Sequence, residues 1–136
     1  MPITEDQLQR AWDALRELHP DLPAAMVVAN PRPPACGKMR ATLIVVPDTA
    51  LERPEDALER LLHQAAHRLD PKPATGSSGR YHAESYRDTA RTLGLAVERG
   101  EPHQGWSETA LARATWDANT MSAYRRVLRI LGEEQS

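Results

Sequence analysis

Residues 54–69 read as a central helix that also carries two histidines one turn apart. Pro54 suits a first helical turn, and Glu55 and Asp56 complement the positive end of the helix dipole. Leu58, Leu61, Leu62, Ala65 and Leu69 recur at helical spacing and make a wide apolar stripe. His63 and His67 lie four residues apart, one turn from each other on one face, where both imidazoles reach a common metal ion. Ala65 and Ala66 between them let a second element approach closely and leave room for an ion and its ligands. The strongest strand of the sequence precedes this helix by a short connection, which makes the helix central. Buried histidines need partners, because an unpaired buried polar group is costly, and a shared metal is one such partner. The alternative is a pair of helix-surface histidines near an interface. With five histidines in 136 residues such a spacing arises by chance roughly one time in seven, so the pair alone decides nothing.

The rest of the chain alternates helix and strand. Residues 4–18 read as an amphipathic helix: Thr4 and Gln7 have capping-box spacing, Leu8, Trp12, Leu15 and Leu18 share a face, and His19-Pro20 ends it. Residues 24–29 are a short strand, and the proline-rich stretch 31–37 a rigid loop. Residues 41–46 (Ala-Thr-Leu-Ile-Val-Val) are the clearest strand, stopped by Pro47, and their continuous apolarity predicts burial on both faces. Residues 70–80 form a flexible connection. A helix over about 81–93 turns Tyr86, Ala90 and Leu93 inward and stops at Gly94. Leu95-Ala96-Val97 is a short extended step, and 100–107 a loop with Ser107 as a helix cap. A last helix from about 115 to 131 carries Met121, Tyr124, Val127, Leu128 and Leu131 on its apolar face, and 133–136 is a frayed tail. No repeat or linker divides the chain, so the expectation is one α+β domain over 1–136, with a few-stranded sheet packed on the central helix.

Composition narrows the chemistry. A formal net charge of −2 gives no bulk electrostatic case for nucleic acid or an anionic membrane. No apolar run approaches a membrane span and no signal-peptide pattern opens the chain, so a cytoplasmic protein is expected. Cys36 is the only cysteine, which excludes an intrachain disulfide and a thiolate zinc cluster. The nitrogen ligands available are therefore His19, His63, His67, His82 and His103. His82 follows the flexible segment, which is long enough for the chain to turn back beside His63 and His67. Three imidazoles with a fourth position left for water are the pattern of a catalytic-type zinc site.

The ordered set Leu61-Leu62-His63-Gln64-Ala65-Ala66-His67, Gly79-Arg80-Tyr81-His82, Leu93-Gly94-Leu95-Ala96-Val97 and Gly105-Trp106-Ser107 resembles SprT-like zinc metallopeptidase domains. The short actinobacterial members, often found with mobile elements, are the nearest in pattern. The resemblance covers about residues 54–113. It implies a zincin-like α+β fold, a Zn2+ ion held by His63, His67 and His82, and hydrolysis of a protein or peptide substrate. Longer SprT and Spartan-type proteins carry a four-cysteine zinc ribbon; with Cys36 alone this chain has none, which removes support for DNA-linked targeting.

Where the family has the glutamate of HExxH, this chain has Gln64. That glutamate takes a proton from the attacking water and delivers it to the leaving amine. Gln64 has nearly the same shape and accepts a hydrogen bond, but takes up no proton at neutral pH. General-base catalysis is worth about 10²–10⁴-fold, so hydrolysis is expected to be impaired or absent while metal affinity survives. Two origins stay open: a native metal-binding pseudoenzyme, or a glutamate replaced to inactivate the site. A non-catalytic zinc-binding module for protein interaction, or a nucleic-acid accessory role using Arg125, Arg126 and Arg129, is the alternative function. Those three arginines are better explained as a solvated helix face. Glu59, Glu84 and Asp70 read as solvated surface charges rather than substitute bases. Tyr81 and Arg80 are candidates to stabilise an oxyanion or bind a substrate carboxylate, against a simple helix-entry contact. Trp106 lines a cleft or, more simply, packs in the core ahead of a capped helix. His19 and His103 read as solvated.

Overall fold

The computed structural model describes residues 2–31, 42–70, 84–99 and 106–133. Among those residues the chain forms four helices and two small sheets in one mixed α+β unit: α1 (Glu5–Leu18), β1 (Met26–Asn30), β2 (Leu43–Pro47), α2 (Pro54–Leu69), α3 (Glu84–Thr92), β3 (Leu95–Arg99), β4 (Trp106–Leu111) and α4 (Ala118–Leu131). Short 3-10 helices at Asp48–Glu52 and Arg113–Thr115 lead toward α2 and α4. β1 and β2 run parallel, with Met26 opposite Leu43 and Val28 opposite Val45. β3 and β4 are antiparallel, with Val97 opposite Thr109. No described helix is long and apolar enough to cross a membrane.

The first helix begins as the capping-box spacing predicts. The Thr4 hydroxyl accepts the Gln7 N–H at 3.2 Å, and Gln7 Oε1 accepts the Thr4 N–H at 3.0 Å. The same glutamine reaches across the fold: its Nε2 donates to the carbonyls of Ile130 (3.0 Å) and Glu133 (2.9 Å), joining the start of α1 to the end of α4. α1 also covers one side of β1. Gln9 Nε2 donates to the Ala25 carbonyl at 2.9 Å, Gln9 Oε1 accepts the Val27 N–H at 3.0 Å, and Glu5 Oε2 accepts the Ala29 N–H at 2.7 Å. These side chains satisfy backbone groups that a strand edge would otherwise present.

α2 is central. It packs against α3, α4, β2 and both strands of the hairpin, and Leu58, Leu61, Leu62, Ala65 and Ala66 are fully buried. The continuous apolarity of β2 has the expected consequence, since Ile44, Val45 and Val46 are all buried. The chain lacks Phe, and among the described residues Tyr86 and Tyr124 join Trp12 as the largest fully buried side chains. Each buried ring brings a polar tip that needs a partner. Trp12 Nε1 donates to the Pro23 carbonyl (3.1 Å), Tyr124 OH to Leu93 (2.7 Å) and Tyr86 OH to His63 (3.1 Å).

Gly94 ends α3 as expected, with φ of +90°. Its carbonyl accepts Trp116 Nε1 at 2.9 Å, and a Cβ built on it would lie 2.3 Å from that nitrogen.

Beyond Gly94 the sequence reading needs correction. Ser107 is not a helix cap, and Trp106 does not precede a helix: both belong to β4. The last helix starts at Ala118 rather than near 115, and its cap is Asp117, whose side chain accepts the Thr120 N–H at 2.7 Å. That bond, with the neighbouring backbone, holds the Asp117 carboxyl below its ordinary range. His19 is not simply solvated either. It is half-buried, its Nε2 lies 3.1 Å from the Tyr124 hydroxyl, and burial lowers its pKa.

A candidate metal centre on the central helix

Glu59, His63 and His67 succeed one another at four-residue intervals along α2, so one face presents a carboxylate and two imidazoles in a row. The apolar positions that bury α2 also bury His63, which is 2% exposed, while His67, one turn on, is partly exposed. The two Nε2 atoms face each other at 3.3 Å. Zinc holds imidazole nitrogens at about 2.0–2.1 Å, and tetrahedral geometry then puts two of them about 3.3–3.4 Å apart. The pair therefore fits two positions of one tetrahedral zinc ion. The same distance suits an N–H···N hydrogen bond from one ring to the other.

Neighbouring elements fix both rings. Tyr86 of α3 packs against them, its ring centroid 5.5 Å from that of His63 and 4.5 Å from that of His67. Its hydroxyl donates to the His63 carbonyl, which anchors α3 to α2 at the site. From the other side, β4 brings Thr109, whose Oγ1 lies 3.0 Å from His63 Nδ1. Thr109 also donates to Glu59 Oε1 and accepts from Arg60 Nη2 at 3.2 Å, and Arg60 pairs with Glu59.

Glu59 is therefore not the solvated surface charge expected of it: its side chain is only 13% exposed. Asp70 is also corrected, because it is buried and forms the C-cap of α2, its N–H donating to Ala66 at 2.9 Å. Shallow clefts of about 370 Å3 and 310 Å3 adjoin Glu59, the first bounded by Thr109, Leu111 and Arg113 and the second by Thr49 and Arg60.

Gln64 is 5% exposed and already engaged. Its Oε1 accepts Arg68 Nη1 at 2.6 Å, and Arg68 Nη2 donates to the Leu43 carbonyl at 3.0 Å. The guanidinium thus clamps Gln64 to the first residue of β2.

Of the residues expected at the site, His63, His67 and Gln64 lie on α2 as predicted, with the two imidazoles brought together. His82, Tyr81, Arg80, His103, Cys36 and the side chain of Glu84 lie outside the described residues. Among the described residues, no group of three His, Cys, Asp or Glu side chains is placed to hold a metal. Sequence reasoning missed Thr109 and the engagement of Glu59. It also missed the Arg68 clamp, for which the four-residue spacing from Gln64 was an available signal.

No family model matches the chain, and comparison with curated proteins and with solved structures also gave no match.

Proposed function

We propose that this chain is an SprT-like, zincin-type zinc-binding domain in which His63, His67 and His82 hold one Zn2+, and in which peptide hydrolysis is impaired because Gln64 occupies the general-base position. The observation that carries the reading is the 3.3 Å approach of the His63 and His67 Nε2 atoms on a buried helix face. Tyr86 adds support, because it packs on both imidazoles and lies only four residues after His82 in sequence. Bound zinc would supply Lewis-acid polarisation of a peptide carbonyl and acidification of water.

The chain's own residues set the limits of that chemistry. Gln64 accepts a hydrogen bond but takes no proton, and its acceptor oxygen is already used by Arg68. That engagement also favours a second reading, a non-catalytic zinc module that binds a protein or peptide partner.

Metal analysis of protein purified without added zinc tests the centre. About one equivalent of zinc is expected, falling sharply in His63→Ala and His67→Ala. Less than about a tenth of an equivalent, unchanged in His63→Ala, would overturn the proposal.

A further inference from the structure

We propose that Glu59 and Thr109 lock His63 into one tautomer, protonated at Nδ1, so that its Nε2 lone pair is presented toward His67 and toward a zinc ion held between them. The ligand rests on the zinc-site reading; the tautomer follows from counting hydrogens. Thr109 has one hydroxyl hydrogen, and it is directed at Glu59 Oε1, an acceptor that offers no hydrogen of its own when ionised. The Thr109 oxygen then has only lone pairs for its two remaining neighbours. Arg60 Nη2, at 3.2 Å, is always a donor. His63 Nδ1, at 3.0 Å, must be the other donor. A neutral ring with hydrogen on Nδ1 carries its lone pair on Nε2, the atom that lies 3.3 Å from His67.

The arrangement is a carboxylate–hydroxyl–imidazole relay. A metal-binding histidine is commonly oriented by a partner on its other nitrogen, and loss of that partner typically lowers metal affinity about 10–100-fold. Here the partner comes from a different element. Glu59 belongs to the same helix as the ligands, but Thr109 is supplied by β4, so the orientation of a helix-borne ligand depends on the docking of a β-hairpin. Thr109 and Glu59 are positioning residues.

The test joins two readouts. Long-range proton–nitrogen NMR spectra of metal-free, 15N-labelled protein, recorded above the pH of imidazole protonation, report which ring nitrogen of His63 carries hydrogen. Competition with a chromophoric chelator reports zinc affinity. In the wild type, hydrogen is expected on Nδ1. Thr109→Val keeps the shape and removes the hydroxyl; it should give a mixture of tautomers and weaken zinc binding about tenfold or more. Thr109→Ser should restore both, a rescue that a purely structural role for the side chain would not produce. Glu59→Gln serves as the second variant if Thr109→Val does not fold, and should shift the tautomer in the same direction.

Hydrogen on Nε2 of His63 in the wild type would overturn the proposal, as would a folded Thr109→Val protein with unchanged tautomer and affinity. A wild type with hydrogen on Nδ1 but no zinc affinity would support the relay and overturn the zinc-site reading.

Discussion

Arg68 holds Gln64 by its amide oxygen at 2.6 Å and, with its other terminal nitrogen, holds the carbonyl of Leu43 at 3.0 Å. A glutamate introduced at position 64 would therefore place its carboxylate directly on a guanidinium, which stabilises the ionised form and lowers its basicity. The variant Gln64→Glu is expected to gain zinc-dependent peptide hydrolysis of no more than about tenfold, below the 10²–10⁴ that a free general base supplies. The double variant Gln64→Glu with Arg68→Leu should gain more. Turnover of a fluorogenic peptide library measures both. A full gain from the single variant would show that Arg68 does not restrain the base. No gain from either would favour the non-catalytic zinc module.

On the proposed zinc site, zinc should stabilise the fold, because the pair of imidazoles is preformed in the native state and scattered in the unfolded chain. At free zinc about a hundred times the dissociation constant, the gain is about 2.7 kcal/mol. Thermal unfolding of metal-stripped protein, with and without zinc, should show a rise in melting temperature that His67→Ala abolishes. An equal rise in the variant would place the effect elsewhere.

How far the centre was legible depended on which element each residue occupied. α2 declared itself, since its leucines repeat at helical spacing and its histidines share their face. Thr109 did not, because the segment around it (Ser107-Glu108-Thr109-Ala110-Leu111-Ala112-Arg113-Ala114) has the composition of a helix with a serine cap. Pairing with β3 overrides that preference. A register shift between Glu98 and Arg99 also breaks the two-residue alternation that would have marked the strand. Once β4 was unseen, nothing in the sequence indicated what covers Glu59, and a helix-borne carboxylate read as solvated. Asp70 reads as solvated for the same reason: burial at the end of a helix is decided by the elements packed against it.

The contact between His19 and Tyr124 predicts a pH dependence on the acid side. Burial holds the His19 pKa below its ordinary 6.5, so the unfolded chain binds the proton more readily than the folded one. The stabilising contribution is present in full above 6.5 and is lost as pH falls from there toward the lowered folded value. Between neutral pH and about pH 5.5, wild-type protein in chelator should therefore lose more stability than His19→Gln. Urea denaturation at several pH values measures the difference. Parallel curves for the two proteins would remove His19 as the cause.

At Gly94 the chain has no room for a side chain. Alanine there would adopt a φ of +90° and place its Cβ 2.3 Å from Trp116 Nε1. Displacing that ring also disturbs the bond from Trp116 Nε1 to the Gly94 carbonyl and the edge-on contact of Trp116 with Tyr124, at 4.9 Å between centroids. Overpacking of this kind costs about 1–3 kcal/mol, to which the strained backbone adds. Gly94→Ala should lower the melting temperature by about 5–10 °C. A change within about 1 °C would mean that the turn relaxes freely.

Gln7 sets an order of events for a chain made from its N-terminus. It caps α1 locally, yet its amide nitrogen is bound by the Ile130 carbonyl, 123 positions later. Until α4 has left the ribosome, the first helix has its cap and can meet β1 but lacks the helix against which its other side docks. Local contacts form early and such distant ones late, so this domain is completed only once α4 has been made, not while its earlier elements emerge. A ribosome-bound chain stalled before residue 118 should accordingly leave the side of α1 that packs on α4 open to chaperones and proteases.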